Sequence, residues 1–267
     1  MTGKRLVFAG GAPRSGLTLM RAVLNAHPHV FCGPDSGVLP GLSIQWRDIA
    51  SQLGDLHEDH FSISRQDVRD NFARAISSVL DQSPAALGKD VIVEKTPLNV
   101  LTFEDLAALF PHAKFIHVVR DGRDVAASLL ARDWRNPHTG APFPHVTDAG
   151  AAADYWNGLA ALGRKAEQAI DDPERFFTLR YEDFAARPKR AIKALFEFLE
   201  TPFDPAVLRF YENDMPLVGI ERDSAARLRQ PISDDRVGRW RDDLSPERRE
   251  VVERRANEML RAFNYIR

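Results

Sequence analysis

The sequence predicts an α/β protein, an open parallel sheet with helices on both faces and a helical C-terminal extension. Three observations predict it. Short apolar runs of strand type alternate with longer segments of helical period. A glycine-rich loop joins the first run to the first helix, and beyond Asp204 the strand-type runs stop. The 267 residues read as one domain, 1–267, of which about 204–267 forms the extension.

The first run, Leu6–Ala9, leads through Gly10–Gly11–Ala12–Pro13–Arg14–Ser15–Gly16–Leu17–Thr18 into a helix from about Gly16 to Ala26, which stops at His27–Pro28. Val30–Cys32 is a short strand. Gly33–Gly37 is turn chemistry that puts Asp35 on a loop, and an apolar-periodic stretch follows to about Leu53. A helix from Asp67 to Gln82 carries Val68, Phe72, Ile76, Val79 and Leu80 on one face. Asp90–Glu94 is a buried strand broken by Lys95–Thr96–Pro97, so Lys95 stands at its carboxyl end. A helix from about Thr102 to Phe110 precedes Lys114–Val119, a strand of parallel type closed by Arg120. The next helix runs from Gly122 to about Trp134, and Arg135–Val146, rich in Pro, Gly, His and Asn, is a surface loop or lid. A helix of about Asp148–Ile170, a strand Arg175–Arg180 ending at Tyr181, and a helix Pro188–Leu199 complete the alternation. Residues 213–235 are loop-like, 236–241 form a short turn, and Pro246–Phe263 is a terminal helix.

Composition narrows the function classes. With 44% hydrophobic and 28% charged residues the chain can build a sizeable core, and a net charge of -2 gives no global attraction to nucleic acid or to an anionic membrane. One cysteine, Cys32, allows no internal disulfide and no four-cysteine zinc site. The first strand starts at about residue 4 and no apolar run approaches the roughly 18 residues of a spanning helix, so a cytoplasmic protein is expected.

The glycine loop is the centre of the chemistry. Its backbone N–H groups and the positive end of the following helix favour a bound phosphate. Gly11, Gly16 and Thr18 match G-x-x-x-x-G-K-[ST], which makes the sheet P-loop-type, but Leu17 stands where that pattern has lysine. An apolar side chain cannot neutralise charge between the β and γ phosphates of a nucleoside triphosphate. Arg14, inside the loop, is the cation instead. Further on, Arg120 closes a strand while Ser128 and Arg132 lie four residues apart on one helix face, which forms a second phosphate site or, equally, a surface pairing with Asp121, Asp124 or Asp133.

Together these motifs resemble the sulfotransferase family that uses 3′-phosphoadenosine 5′-phosphosulfate, over most of the chain from Phe8 to about Trp240. Pro13–Arg21, then Ala26–His27–Pro28 and Cys32–Gly33–Pro34–Asp35, are most similar to the tyrosylprotein branch and its bacterial relatives. Two departures stand out: Leu17 replaces a threonine, and Asp35 falls where that branch carries a glutamate as catalytic base.

The resemblance implies transfer of a sulfuryl group to an acceptor hydroxyl, with adenosine 3′,5′-bisphosphate as product and no metal. It implies that Arg14, Ser15, Gly16, Leu17 and Thr18 bind the 5′-phosphosulfate, that Arg120, Ser128 and Arg132 bind the 3′-phosphate, and that Tyr181 stacks on adenine. From the C-terminal segment, which folds back over the nucleotide, it carries over Arg239. In-line displacement needs a base beside the acceptor and cations beside the leaving oxygen. Asp35 suits the first role, though an Asx-type turn residue is its other reading; Arg14 and Lys95 suit the second. The acceptor is a small molecule, a sugar or a peptide tyrosine, with the segments 135–146 and 38–56 lining its pocket. A P-loop nucleoside-triphosphate kinase and a non-catalytic nucleotide-binding relative are the alternatives. His57–Glu58–Asp59–His60 lacks H-E-x-x-H spacing and reads as a polar surface turn.

Overall fold

The computed structural model describes residues 4–53, 55–81 and 83–266. Strand β1 (Arg5–Gly10) passes through the glycine loop into α1 (Leu17–Asn25), and β2 (Val30–Cys32) follows. Helices α2 (Leu39–Gln52), α3 (Asp55–Phe61) and α4 (Arg65–Asp81) precede β3 (Val91–Lys95). A 3-10 stretch, Pro97–Thr102, leads to α5 (Phe103–Leu109), β4 (Lys114–Val119) and α6 (Gly122–Leu130). Next come α7 (Pro144–Thr147), α8 (Ala149–Ile170), β5 (Phe176–Arg180), α9 (Tyr181–Ala186) and α10 (Pro188–Phe198). The remainder holds the 3-10 stretches Pro205–Glu212 and Gly219–Ser224, then α11 (Ala225–Leu228), α12 (Trp240–Asp243), α13 (Pro246–Arg255) and α14 (Asn257–Ala262).

The strands form one sheet in the order β2-β3-β1-β4-β5, and every pairing is parallel. Phe8 at the centre lies opposite Glu94 of β3 on one side and Phe115 of β4 on the other. Side chains leave a strand alternately to its two faces. Leu6, Phe8, Ile92, Phe115 and Val119 therefore join a core with Phe103 and Trp156, while Val7, Ala9, Val93, Ile116 and Val118 join a second core with Met20, Val23 and Phe196. A sheet covered on both faces has to be apolar on both, which explains the unbroken hydrophobic runs. The chain leaves β1 towards the β2 edge and later crosses to β4 on the other side, so a crevice opens at the carboxyl end of β1.

Several boundaries differ from the expectation. Lys95 is the last residue of β3 rather than a residue beyond it. The helix expected to reach Trp134 ends at Leu130, and Trp134 instead opens a small turn closed by an Arg135–Pro142 bridge. His57–His60 sits within α3, not in a turn. The terminal helix is divided at Ala256, whose φ and ψ are -95° and 8°. Gln82, the expected end of α4, lies outside the described residues. Among the described residues no helix is long and apolar enough to cross a membrane.

Candidate active site

The glycine loop emerges from the centre of the sheet and turns back over β4. A Cβ at Gly11 would lie 2.3 Å from the Val118 carbonyl oxygen, so only glycine lets the loop pass there. Gly16 has φ 106°, and a Cβ on it would meet the Tyr181 ring at 2.7 Å. Arg14 adopts φ 75°, a left-handed conformation that costs a residue with a Cβ roughly 1–2 kcal/mol. Two contacts hold it: its carbonyl accepts from Arg120 Nη1 at 3.3 Å, and its Nε donates to Ser128 Oγ at 3.1 Å. Burial, and after it the neighbouring Arg132, lower the Arg14 guanidinium to about 10, so it is cationic at neutral pH. Leu17 is buried in the core at the start of α1.

Arg120 follows β4 and is clamped from several directions. Its guanidinium lies 4.4 Å from the centre of the Tyr181 ring and 3.5 Å from Asp124, its Nη2 donates to the Arg236 carbonyl, and its own carbonyl accepts from Trp156 Nε1 at 3.1 Å. Arg132 donates to the Ser128 carbonyl at 3.2 Å and lies 3.8 Å from Asp223. Arg14, Arg120, Ser128, Arg132 and Tyr181 thus line a cavity of about 340 Å³.

Asp35 and Lys95 line the same cavity. Lys95 Nζ donates to Asp35 Oδ1 and to Glu221 Oε1, the latter at 2.6 Å, and the Lys95 and Glu221 side chains are each 1% exposed. Burial raises the Asp35 carboxyl above its ordinary value, and Lys95 pulls it back in part. The turn that carries Asp35 is fixed by the next residue: Ser36 Oγ donates to Glu94 Oε1 at 2.7 Å, and Thr96 Oγ1 donates to the same oxygen at 2.8 Å. Burial raises Glu94 as well.

Residues 219–243 close the cavity. Asp124, buried in α6, accepts from the Gly238 and Trp240 backbone N–H groups at 2.8 and 2.9 Å and so pins this cover to the sheet side. Arg239 lines the cavity and pairs with Asp243 at 2.9 Å. Ser224, Arg227 and Arg236 contribute from the same segment, so the lining holds seven Lys or Arg side chains against four Asp. Among the described residues, none of 135–146 or 38–56 lines it. Trp134, just ahead of the first segment, donates through Nε1 to Asp223 at 3.1 Å.

All the expected site residues except Ser15 line this one cavity; Ser15 is buried within the loop, and its Oγ has no hydrogen-bond partner. Arg120 Nε is likewise buried and unpartnered. Two orphaned donors, a glycine cradle and an excess of cations fit a ligand with a phosphate-type group at each end. Sequence reasoning missed Glu221, Asp124, Asp223, Arg227 and Arg236. The sequence shows Asp124 only as a surface partner of the Arg120 cluster, and it does pair with Arg120 at 3.5 Å, while the others lie in aperiodic segments.

A family model described as "Sulfotransferase family" matches residues 7–205. Among curated proteins, the chain is 31% identical over 255 residues to protein-tyrosine sulfotransferase 1 of Danio rerio, an alignment covering 88% of this chain and 65% of that protein. It is 29% identical over 246 residues to the protein-tyrosine sulfotransferase of Drosophila melanogaster, covering 88% and 46%. The chain therefore spans less than two thirds of the length of these relatives. Two solved structures share the fold at 20% identity and a TM-score of 0.70. One is the sulfotransferase domain from the curacin biosynthetic pathway, with 98% of both chains covered; the other, from the Synechococcus PCC 7002 olefin synthase, covers 100% and 98%.

These relatives overturn the cytoplasmic expectation, since protein-tyrosine sulfotransferases act in the secretory pathway or Golgi. A lone buried cysteine is compatible with either redox environment, and the position of a leader cannot be read from a chain that aligns with only part of its relatives. By its family model and its sequence relatives, the chain belongs to the sulfotransferase family.

Proposed function

We propose that this chain, read as one catalytic domain over 1–267, transfers a sulfuryl group from 3′-phosphoadenosine 5′-phosphosulfate to an acceptor hydroxyl by in-line displacement. The observation that carries the reading is the single cavity that joins a lysine-free glycine loop and Arg120, Ser128 and Arg132 to an Asp35–Lys95 pair. In this reading the loop, Arg14 to Thr18, holds the 5′-phosphosulfate; Arg120, Ser128 and Arg132 hold the 3′-phosphate; Tyr181 supports the adenine, and Arg239 closes over the nucleotide. Asp35 takes the acceptor proton as the acceptor oxygen bonds to sulfur. The bond from sulfur to the bridging phosphate oxygen breaks, and its electron pair stays on that oxygen, where Lys95 and Arg14 supply positive charge.

The relatives' names make a peptide tyrosine the first acceptor to test, ahead of small phenols, alcohols and sugars. Ile220 and Ser224 line the same cavity as Asp35. A kinase reading finds no support: Leu17, at the lysine position, is packed into the core. The test is incubation with donor labelled with sulfur-35 and a tyrosine peptide or a phenol. Label in the acceptor, with one bisphosphate released per transfer, is the expected result. Magnesium-dependent ATP turnover without sulfuryl transfer would overturn it.

A further inference from the structure

Glu221 lies in the C-terminal cover, yet its carboxylate reaches the floor of the crevice. Its Oε1 accepts from Lys95 Nζ at 2.6 Å, and its Oε2 accepts from Arg21 Nη1 at 2.8 Å and from the Val218 N–H at 3.2 Å. Arg21 projects from α1, directly behind the glycine loop, and is 2% exposed. It also donates through Nε to the Cys32 carbonyl at 3.2 Å and through Nη1 to the Pro216 carbonyl at 3.0 Å. Cys32 ends β2, three residues ahead of Asp35. Two cations and two carboxylates thus form a closed line, Arg21–Glu221–Lys95–Asp35, in which only Asp35 is open to solvent, at 21% of its side chain.

Nothing in the transfer step requires Glu221 to touch donor or acceptor. Its placement matters for another reason. A lysine that lies between two carboxylates is held in one position by both, and the carboxylate at the open end takes its orientation from that lysine. Without Glu221, Lys95 keeps one fixed partner and Arg21 is left as a buried cation with only carbonyls around it.

We propose that Glu221 is a positioning residue for sulfuryl transfer: by anchoring Lys95 from the side opposite Asp35, it sets the Asp35–Lys95 pair only when the segment covering the donor is docked. This rests on the sulfotransferase reading above. It couples donor closure to assembly of the base, because the same short stretch that holds Glu221 also puts Asp223 and Ser224 in the cavity lining, Asp223 3.8 Å from Arg132. The charged groups that face Asp35 are Lys95, Glu221 and Arg21, and of these Glu221 is the one that disfavours the ionised form.

The test compares wild type, Glu221→Gln and Glu221→Asp by steady-state kinetics across pH, by bisphosphate titration and by thermal melting. Glu221→Gln is expected to lower kcat roughly 10- to 100-fold while the bisphosphate Kd stays within about threefold. The acid limb of its rate profile moves to lower pH, because a negative charge near Asp35 has gone, and Glu221→Asp recovers part of kcat. An unmoved acid limb with kcat close to wild type overturns the proposal. So does a parallel fall of kcat, bisphosphate affinity and melting temperature, which marks a structural ion pair only. Should Glu221→Gln fail to fold, Glu221→Asp decides on kcat against bisphosphate Kd, since the shorter side chain cannot span Lys95 and Arg21 together: a lowered kcat with unchanged Kd supports the proposal, and a wild-type kcat overturns it. A wild type that transfers no label to any acceptor overturns the sulfotransferase reading and this proposal together; an active wild type with unchanged variants overturns this proposal alone.

Discussion

Arg120 carries the heaviest assignment of any single side chain. It sits at the junction of loop, sheet and cover, and its Nε is a buried donor with no partner. Replacing it by alanine should weaken adenosine 3′,5′-bisphosphate binding about 10- to 100-fold, the equivalent of about 1.5–3 kcal/mol for hydrogen bonds from a charged group. Calorimetric titration decides this, and an unchanged Kd would remove the second phosphate site. Asp35 makes a different prediction. Asp35→Asn should lower turnover roughly 100- to 10,000-fold while bisphosphate affinity is retained, as for loss of a general base; full activity would sink the assignment. Because burial holds the Asp35 carboxyl above its ordinary value, and the base works only when ionised, the wild-type rate should fall on acidification at a higher pH than an exposed aspartate would give. The residues that local pattern could reveal were those at punctuated strand ends: Arg14, Lys95, Arg120 and Tyr181 each follow an apolar run. Glu221 had no such mark. Its partners are 126 and 200 positions away, and no local period encodes contacts of that range.

At the scale of elements, the site depends on one segment being pinned to another. Asp124 holds the Gly238 and Trp240 N–H groups, so Asp124→Ala should cost about 1–3 kcal/mol at that junction. Amide exchange at 238–240 should then quicken ahead of exchange in the sheet, and the bisphosphate should bind more weakly. Exchange that is unchanged there would show that Trp240 packing alone holds the cover. The strands and the α/β alternation were legible because a sheet buried on both faces demands continuous apolar runs between breaks such as Pro97 and Gly122. The contacts that hold the cover were not legible. Residues 213–235 carry no hydrophobic period, and their polar contacts run to Arg21 of α1 and Lys95 of β3. Loop composition around Arg135–Val146 marks an exposed turn but says nothing of which way it leans; Trp134, just ahead of it, leans on Asp223.

For the molecule as a whole, pH enters through a buried group of the sheet. His117 lies inside β4, packed against Gly163 of α8, where a Cβ would fall 2.2 Å from its ring. Burial pushes its imidazole down to about 3. The unfolded chain takes up that proton near pH 6.5 and the folded chain does not, so stability present above pH 6.5 is lost as pH falls towards 3, by up to about 1.4 kcal/mol per unit. Denaturant titrations at several pH values should show this slope, and a His117→Leu variant should flatten it; an equal slope would place the acid sensitivity in the carboxylates. The order β2-β3-β1-β4-β5 has a consequence of another kind. The residues proposed to hold the 3′-phosphate, Arg120, Ser128 and Arg132, follow the strand to one side of β1, whereas Asp35 and Lys95 stem from the strands on the other. In the proposed reaction base and donor grip therefore hang on different strands, so a shear of the sheet across β1 would misalign them without disturbing either one internally.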